Sequence, residues 1–114
     1  NVSVIMPCFG HSAYLEEALA SVVHQQYPPA EIIVVDDSDP NRCGELSAQK
    51  LKTVLAAPRR RQVALLQQWW GWGAETMELF RDQVIMTSNR GVAHARNTGI
   101  RAAHGNWICC LDAD

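Results

Sequence analysis

A chain of 114 residues can bury one core and is short for an enzyme that must hold two substrates, so a single domain is the ceiling. Hydrophobic residues at 47% and charged residues at 19% exclude disorder as the default state. A formal net charge of -2 excludes a nucleic-acid footprint over the chain as a whole, because neutralising phosphates takes a basic excess.

The run V-S-V-I-M over Val2 to Met6 predicts a first strand that stops at Pro7, which cannot donate to a sheet ladder. Ser12 is placed to cap a helix with Glu16 and Glu17 early against the macrodipole and Leu15, Leu19, Val22 and Val23 on one apolar stripe; Tyr27-Pro28-Pro29 ends it. E-I-I-V-V over Glu31 to Val35 predicts a second strand, covered on both faces and ending on Asp36-Asp37. A crossover this long implies parallel strands. Asp39-Pro40 reads as N-cap and first position of a helix carrying Leu46, Leu51, Val54 and Leu55 and closed by Pro58. A third strand is predicted over Gln83 to Thr87, a helix from Val92 to His104 with Gly105 past its end, and a fourth strand from Trp107 to Leu111. The predicted class is α/β, a Rossmann-like open parallel sheet of about four strands flanked by helices. Three strands finish at Pro7-Cys8-Phe9, Asp36-Asp37 and Asp112-Ala113-Asp114, and in such a sheet the ligand crevice lies outside the carboxyl ends of the strands.

Ala56 to Asp82 fits the alternation least. It holds Arg59-Arg60-Arg61 and then Trp69, Trp70 and Trp72, read either as an insertion with surface-packed tryptophans and solvated arginines or as a partner or membrane-surface patch. Cys8, Cys43, Cys109 and Cys110 form no C-x-x-C pair, and the expectation is buried, unbridged thiols. No apolar run approaches the ~20 residues of a membrane span and no signal peptide is recognisable, so the expected state is soluble and the expected location the cytoplasmic side. Asn1 in place of Met, and a strand from the outset, suggest that both ends are cut from something longer.

The acids carry the chemistry. If Asp112-Ala113-Asp114 is extended, its carboxylates share a face roughly 6.6 Å apart at ~3.3 Å rise per residue. A Mg²⁺ ion takes oxygens at ~2.0–2.1 Å and keeps several waters, so one acid is a direct ligand and the other indirect. The motif alone is weak, since a solvated loop explains it equally well. Its place after a buried strand strengthens it. Asp36-Asp37 has a turn-forming reading with Ser38, and because adjacent residues point to opposite faces only one of the two should reach a given ligand.

Four stretches, "VSVIMPCFG", "EIIVVDDSD", "NRGVAHARNTGIRAAHG" and "WICCLDAD", together resemble the family 2 glycosyltransferases, inverting enzymes of the GT-A fold that transfer a sugar from a nucleotide-diphosphate donor. The match covers residues 1 to 40 and 83 to 114. The resemblance implies that residues 1–114 are a single partial domain, the donor-binding half, truncated at its C-terminus and carrying a family-atypical insertion at about 56–82. It implies that Pro7 and Phe9 lie against the nucleotide base, that Asp37 accepts from the imide of a uracil, and that Arg96 sits near the nucleotide. It implies further that Asp114 ligates Mn²⁺ or Mg²⁺, with Asp112 as ribose, water or second metal contact.

There are departures from the family pattern. Gly10-His11 stands where the family has Asn and a polar residue, and His94 replaces a small residue; His94 is expected to be exposed. No residue can be assigned as the general base that an inverting transfer requires. The implied function is transfer from a UDP-sugar to an acceptor hydroxyl by the parent protein. Acceptor identity is left open between glycan, lipid and protein, and membrane association of the parent is left open too. The rival is a non-catalytic nucleotide-binding fragment or truncated product. A nicotinamide-binding domain is disfavoured because "PCFGHSA" holds a single glycine where G-x-G-x-x-G is needed.

Overall fold

Successive side chains of a strand point to opposite faces, and here the apolar runs of the first two strands supply a core to each face. The computed structural model describes residues 1–10 and 12–111. Its elements are β1 (Val2–Cys8), α1 (Ser12–Val23), β2 (Glu31–Asp36), α2 (Cys43–Lys52), α3 (Ala56–Trp70), α4 (Ala74–Leu79), β3 (Gln83–Met86), α5 (Val92–Ala102) and β4 (Trp107–Cys110). Val4, Met6, Cys8, Ile32 and Val34 pack with Leu15, Leu19, Val22 and Val23 of α1 and with Cys43 and Leu55. Ile5, Ile33 and Val35 face the other way and meet Ala95 of α5. Because β2 is covered on both faces, every one of its residues is buried, and its sequence shows no polar alternation.

The strands pair in parallel in the order β3-β2-β1-β4, the α/β architecture expected from the sequence. The chain steps outward from β1 to β2 to β3 and then crosses to the opposite side of β1 for β4. The strand order therefore reverses between β1 and β4, where an open α/β sheet forms its ligand crevice. Cys8, Asp36 and Met86 stand in one register row, so three strands deliver their next residues to the same edge. Among the described residues no helix is long and apolar enough to cross a membrane.

Several expectations are corrected. β1 does not stop before Pro7 but runs through it, in register with Val35. Asn1 and Ile5 direct their carbonyls toward β4, accepting from Trp107 at 3.1 Å and Leu111 at 2.8 Å, while Val2 and Cys8 direct theirs toward β2. Pro7 shares the parity of Ile5, so the N–H it lacks would point past the last β1–β4 pair, Ile5 with Cys110. The second helix starts not at Asp39-Pro40 but at Cys43, after Arg42 in a left-handed conformation. Pro58 does not close a helix. It lies in the first turn of α3, where N–H groups have no intrahelical partner to lose.

The segment 56–82, which fits the alternation least, is built largely of α3 and α4, with Trp72 folded back to stack on Phe80 at 4.8 Å between ring centres. Arg59 is not solvated. It is 5% exposed and holds Asp82 in a two-pronged pair, Nε to Oδ2 at 2.7 Å and Nη2 to Oδ1 at 2.8 Å. Its remaining donors reach the carbonyls of Pro29 and Ala30 and the side chain of Gln62. Arg60, Arg61, Trp69 and Trp70 are exposed. The expectation of unbridged buried thiols fails as well: Cys8 and Cys43 are joined as a disulfide, and Cys109 and Cys110 are exposed. The bonded pair lies 35 residues apart in sequence, a distance that the α1 crossover folds away.

Candidate functional site at the carboxyl ends of the strands

Asp36 and Asp37 share a sequence motif and divide its labour by parity. Asp36 keeps the face of Val34 and points to α2, where Oδ1 accepts from the Asp39 amide at 2.8 Å and Oδ2 from the Gly44 amide at 2.9 Å. Gly44 must be glycine for this approach, since a Cβ there would come within 2.8 Å of the Asp36 side chain. Asp39 supplies the next link: Oδ1 accepts from Gly10 at 2.7 Å and Oδ2 from Cys43 at 3.1 Å. Two carboxylates from outside the helix thus satisfy its first two amides, which is why α2 needs no capping side chain at Arg42. Asp36 thus closes the turn from β2 into α2, without Ser38, whose hydroxyl donates to the Thr87 carbonyl.

Asp37 takes the opposite face and points to the start of α5. Its Oδ1 accepts from the Thr87 hydroxyl at 2.6 Å and the Arg90 amide at 3.0 Å, and its Oδ2 from the Gly91 amide at 2.9 Å. Burial alone would push this carboxyl up. The three donors, with the charge of His94 nearby, outweigh burial and hold it below the ordinary value of 3.8. An ionised carboxylate offers about four acceptor positions, so one remains for a further donor. Asp37 also touches β1 through its own amide, which donates to the Cys8 carbonyl at 3.3 Å.

Pro7 is buried in the last part of β1, and Phe9, just past the strand end, is 43% exposed at the crevice. Arg96 is partly buried on α5 beside the buried Ala95, one turn in from the amides that hold Asp37. The structure therefore brings Pro7, Phe9 and Asp37 to one edge of the sheet and puts Arg96 on the helix anchored there. Asp112 and Asp114, the expected metal acids, lie outside the described residues. His94 is not exposed as expected. It is half-buried, and its Nδ1 is buried with no hydrogen-bond partner among the described residues.

Sequence reasoning missed Thr87 and the bridging role of Asp39. Thr87 is the residue after Met86, the register partner of Asp36, so only strand pairing reveals it. For Asp39 the available signal was the run D-D-S-D, with more carboxylates than a turn needs.

Comparison with known proteins decides the family. The model of glycosyl transferase family 2 matches residues 3–82 and 80–114. The chain belongs to glycosyl transferase family 2. It is 31% identical over 113 residues to the uncharacterized glycosyltransferase EpsJ of Bacillus subtilis, covering 99% of this chain and 26% of that one. The S. aureus TarS structure of residues 1–349 in complex with UDP-GlcNAc shares its fold, with a TM-score of 0.67 at 21% identity over 100% of this chain and 26% of that one. Mannosyltransferase PcManGT from Pyrobaculum calidifontis, in complex with GDP-Man and Mn²⁺, superposes with a TM-score of 0.60 at 28% identity, covering 99% and 27%. This family 2 chain spans about a quarter of the length of EpsJ.

Proposed function

We propose that this family 2 chain is the donor- and metal-binding half of an enzyme that transfers a sugar from a nucleotide-diphosphate sugar, UDP in the first place, to an acceptor hydroxyl. The reading is carried by the meeting of Phe9, Asp37 and the α5 N-terminus at one sheet edge beside the β1–β4 switch point. Phe9 offers a free aromatic face for a base to stack on. Asp37, held ionised and with one acceptor position left, suits a ring N–H. Uracil presents one and guanine another, whereas cytosine and adenine present lone pairs at the corresponding edge. Arg96 supplies a fork for phosphate. The TarS and PcManGT complexes, one with a uridine and one with a guanosine donor, support the donor class.

Asp112 and Asp114 would hold the divalent cation, whose contribution is to neutralise the leaving diphosphate. Two hard carboxylate donors suit Mn²⁺ or Mg²⁺. The group of ligating atoms found among the described residues, on Cys8, Asp36 and Cys43, does not suit them. Its sulfurs are bonded to each other and its carboxylate is occupied by amides.

One observation favours nucleotide binding without turnover by this chain alone. Asp36, Asp37 and Asp39 all accept from backbone amides, so none of them is disposed to deprotonate an acceptor.

The test is calorimetric titration of UDP and GDP with and without Mn²⁺, repeated on Asp37→Asn and Asp114→Ala. Expected is Mn²⁺-dependent binding of UDP over GDP, weakened about tenfold or more by either substitution, the loss of one charge-assisted contact. Binding indifferent to the metal and to both substitutions would overturn the assignment.

A further inference from the structure

Phe9 is an exposed aromatic residue of the crevice, and its place is set by its two neighbours. On one side Cys8, 2% exposed, is bonded to Cys43, which is fully buried at the first position of α2. On the other side the Gly10 amide donates to Asp39, whose second oxygen accepts from the amide of that same Cys43. A covalent link and a carboxylate bridge therefore run side by side from the Phe9 loop to one residue of α2. Only the covalent link can be opened by electron transfer, without changing pH or sequence.

We propose that Cys8 and Cys43 are a redox-modification site that sets nucleotide affinity: as the disulfide they clamp the Phe9–Gly10 loop on α2, and as two thiols they release it. The proposal rests on the reading of Phe9 and Asp37 as base contacts. The reductant is a dithiol. Its thiolate attacks the sulfur of one cysteine, the other leaves as a thiolate, and the second thiol of the reductant resolves the mixed disulfide. Two electrons and two protons pass to the protein, leaving two cysteine thiols and a cyclic disulfide of the reductant. Both sulfurs are buried, so attack requires the loop to open, and a base stacked on Phe9 opposes that opening. Coupling is reciprocal: if the oxidised form binds UDP about tenfold more tightly, bound UDP disfavours reduction by the same factor.

The test uses the 114-residue chain carrying Cys109→Ser and Cys110→Ser, which removes the exposed thiols. Alkylation with mass spectrometry should find no free thiol after treatment with oxidised glutathione and two after dithiothreitol. Amide exchange at Gly10 and Cys43 should be about tenfold faster in the reduced form, with Ala95 of α5 unchanged as the control for folding. UDP should bind about tenfold more weakly to the reduced form, and Cys43→Ser should behave as reduced without reductant. Two free thiols after oxidation, or equal exchange at Gly10 and Cys43 in both forms, would overturn the clamp. Equal UDP affinity in both forms refutes the redox control and leaves the nucleotide reading intact. Failure to bind UDP in either form, with exchange still redox-dependent, refutes the nucleotide reading instead.

Discussion

Arg59, Arg60 and Arg61 are one residue type in one run, yet their surroundings give them unlike energetics. Arg59 spends its donors on Asp82, two carbonyls and Gln62, with its own side chain buried and the Asp82 carboxylate partly so. Asp82 in turn accepts from the Ile32 amide, so the pair pins α3 to the start of β2. Arg59→Ala should cost about 3–5 kcal/mol in urea denaturation, because it strands a partly buried carboxylate and two carbonyls. Arg59→Lys should recover less than half of that loss, since an ammonium cannot reproduce the fork. Arg60→Ala and Arg61→Ala should stay within about 0.5 kcal/mol. A loss at Arg60 equal to that at Arg59 would contradict the assignment.

Asp37 carries a pH signature at the same scale. Its folded pKa lies below the ordinary 3.8, so its contribution to stability is complete above that value and is lost as pH falls through the lower folded one. Asp37→Asn turns an amide N–H against a donor it cannot satisfy. That variant should be less stable at neutral pH, and the deficit should shrink below pH about 4. Urea midpoints of both proteins across that range check it, and a gap that widens on acidification would refute it.

Elements were legible where one local pattern settles them. The α1 stripe, the unbroken β2 run, β3 and the C-terminal part of the chain were all placed to within a residue or two. The start of α2 was not, because its first amides are capped by carboxylates from other elements rather than by its own Asp39-Pro40. Gly99 shows the converse. A glycine inside a helix signals close packing, and here a Cβ would collide with Ile5 and press on Val35 at 3.2 Å. Gly99→Ala gains about 1 kcal/mol of helix propensity. Overpacking costs about 1–3 kcal/mol, so the variant should be net destabilised in thermal melts. A raised Tm would show that α5 can lift from the sheet without penalty.

Over the whole molecule, the radius of gyration is 13.3 Å, what a folded chain of this length should have, at about 13 Å. The apolar surface is unevenly spread. All of β4 is exposed, with Trp107 at 71%, and Val92, Ile100, Trp69 and Trp70 are exposed too. Among the described residues β4 pairs only with β1. An apolar edge strand of this kind is a template for pairing. Sedimentation velocity should show association that rises with concentration and falls in Trp107→Lys/Ile108→Lys. A monomer at all concentrations would refute it.

By itself the sequence determined the α/β class, the strand positions, the family, and the edge of the sheet to which Pro7, Phe9 and Asp37 belong. The class and the strand positions depend on local periodicity, and the family on the resemblance carried by four short stretches, each continuous in the chain. Only the tertiary structure decided which of Asp36 and Asp37 faces α5, that Asp39 bridges Gly10 to Cys43, that Cys8 meets Cys43, and that Arg59 alone of its run is buried. The long-range contacts among them join residues 29 to 54 apart, and the rest are choices among identical neighbours. Sequence spacing carries no record of them, because they are fixed by strand register and helix docking.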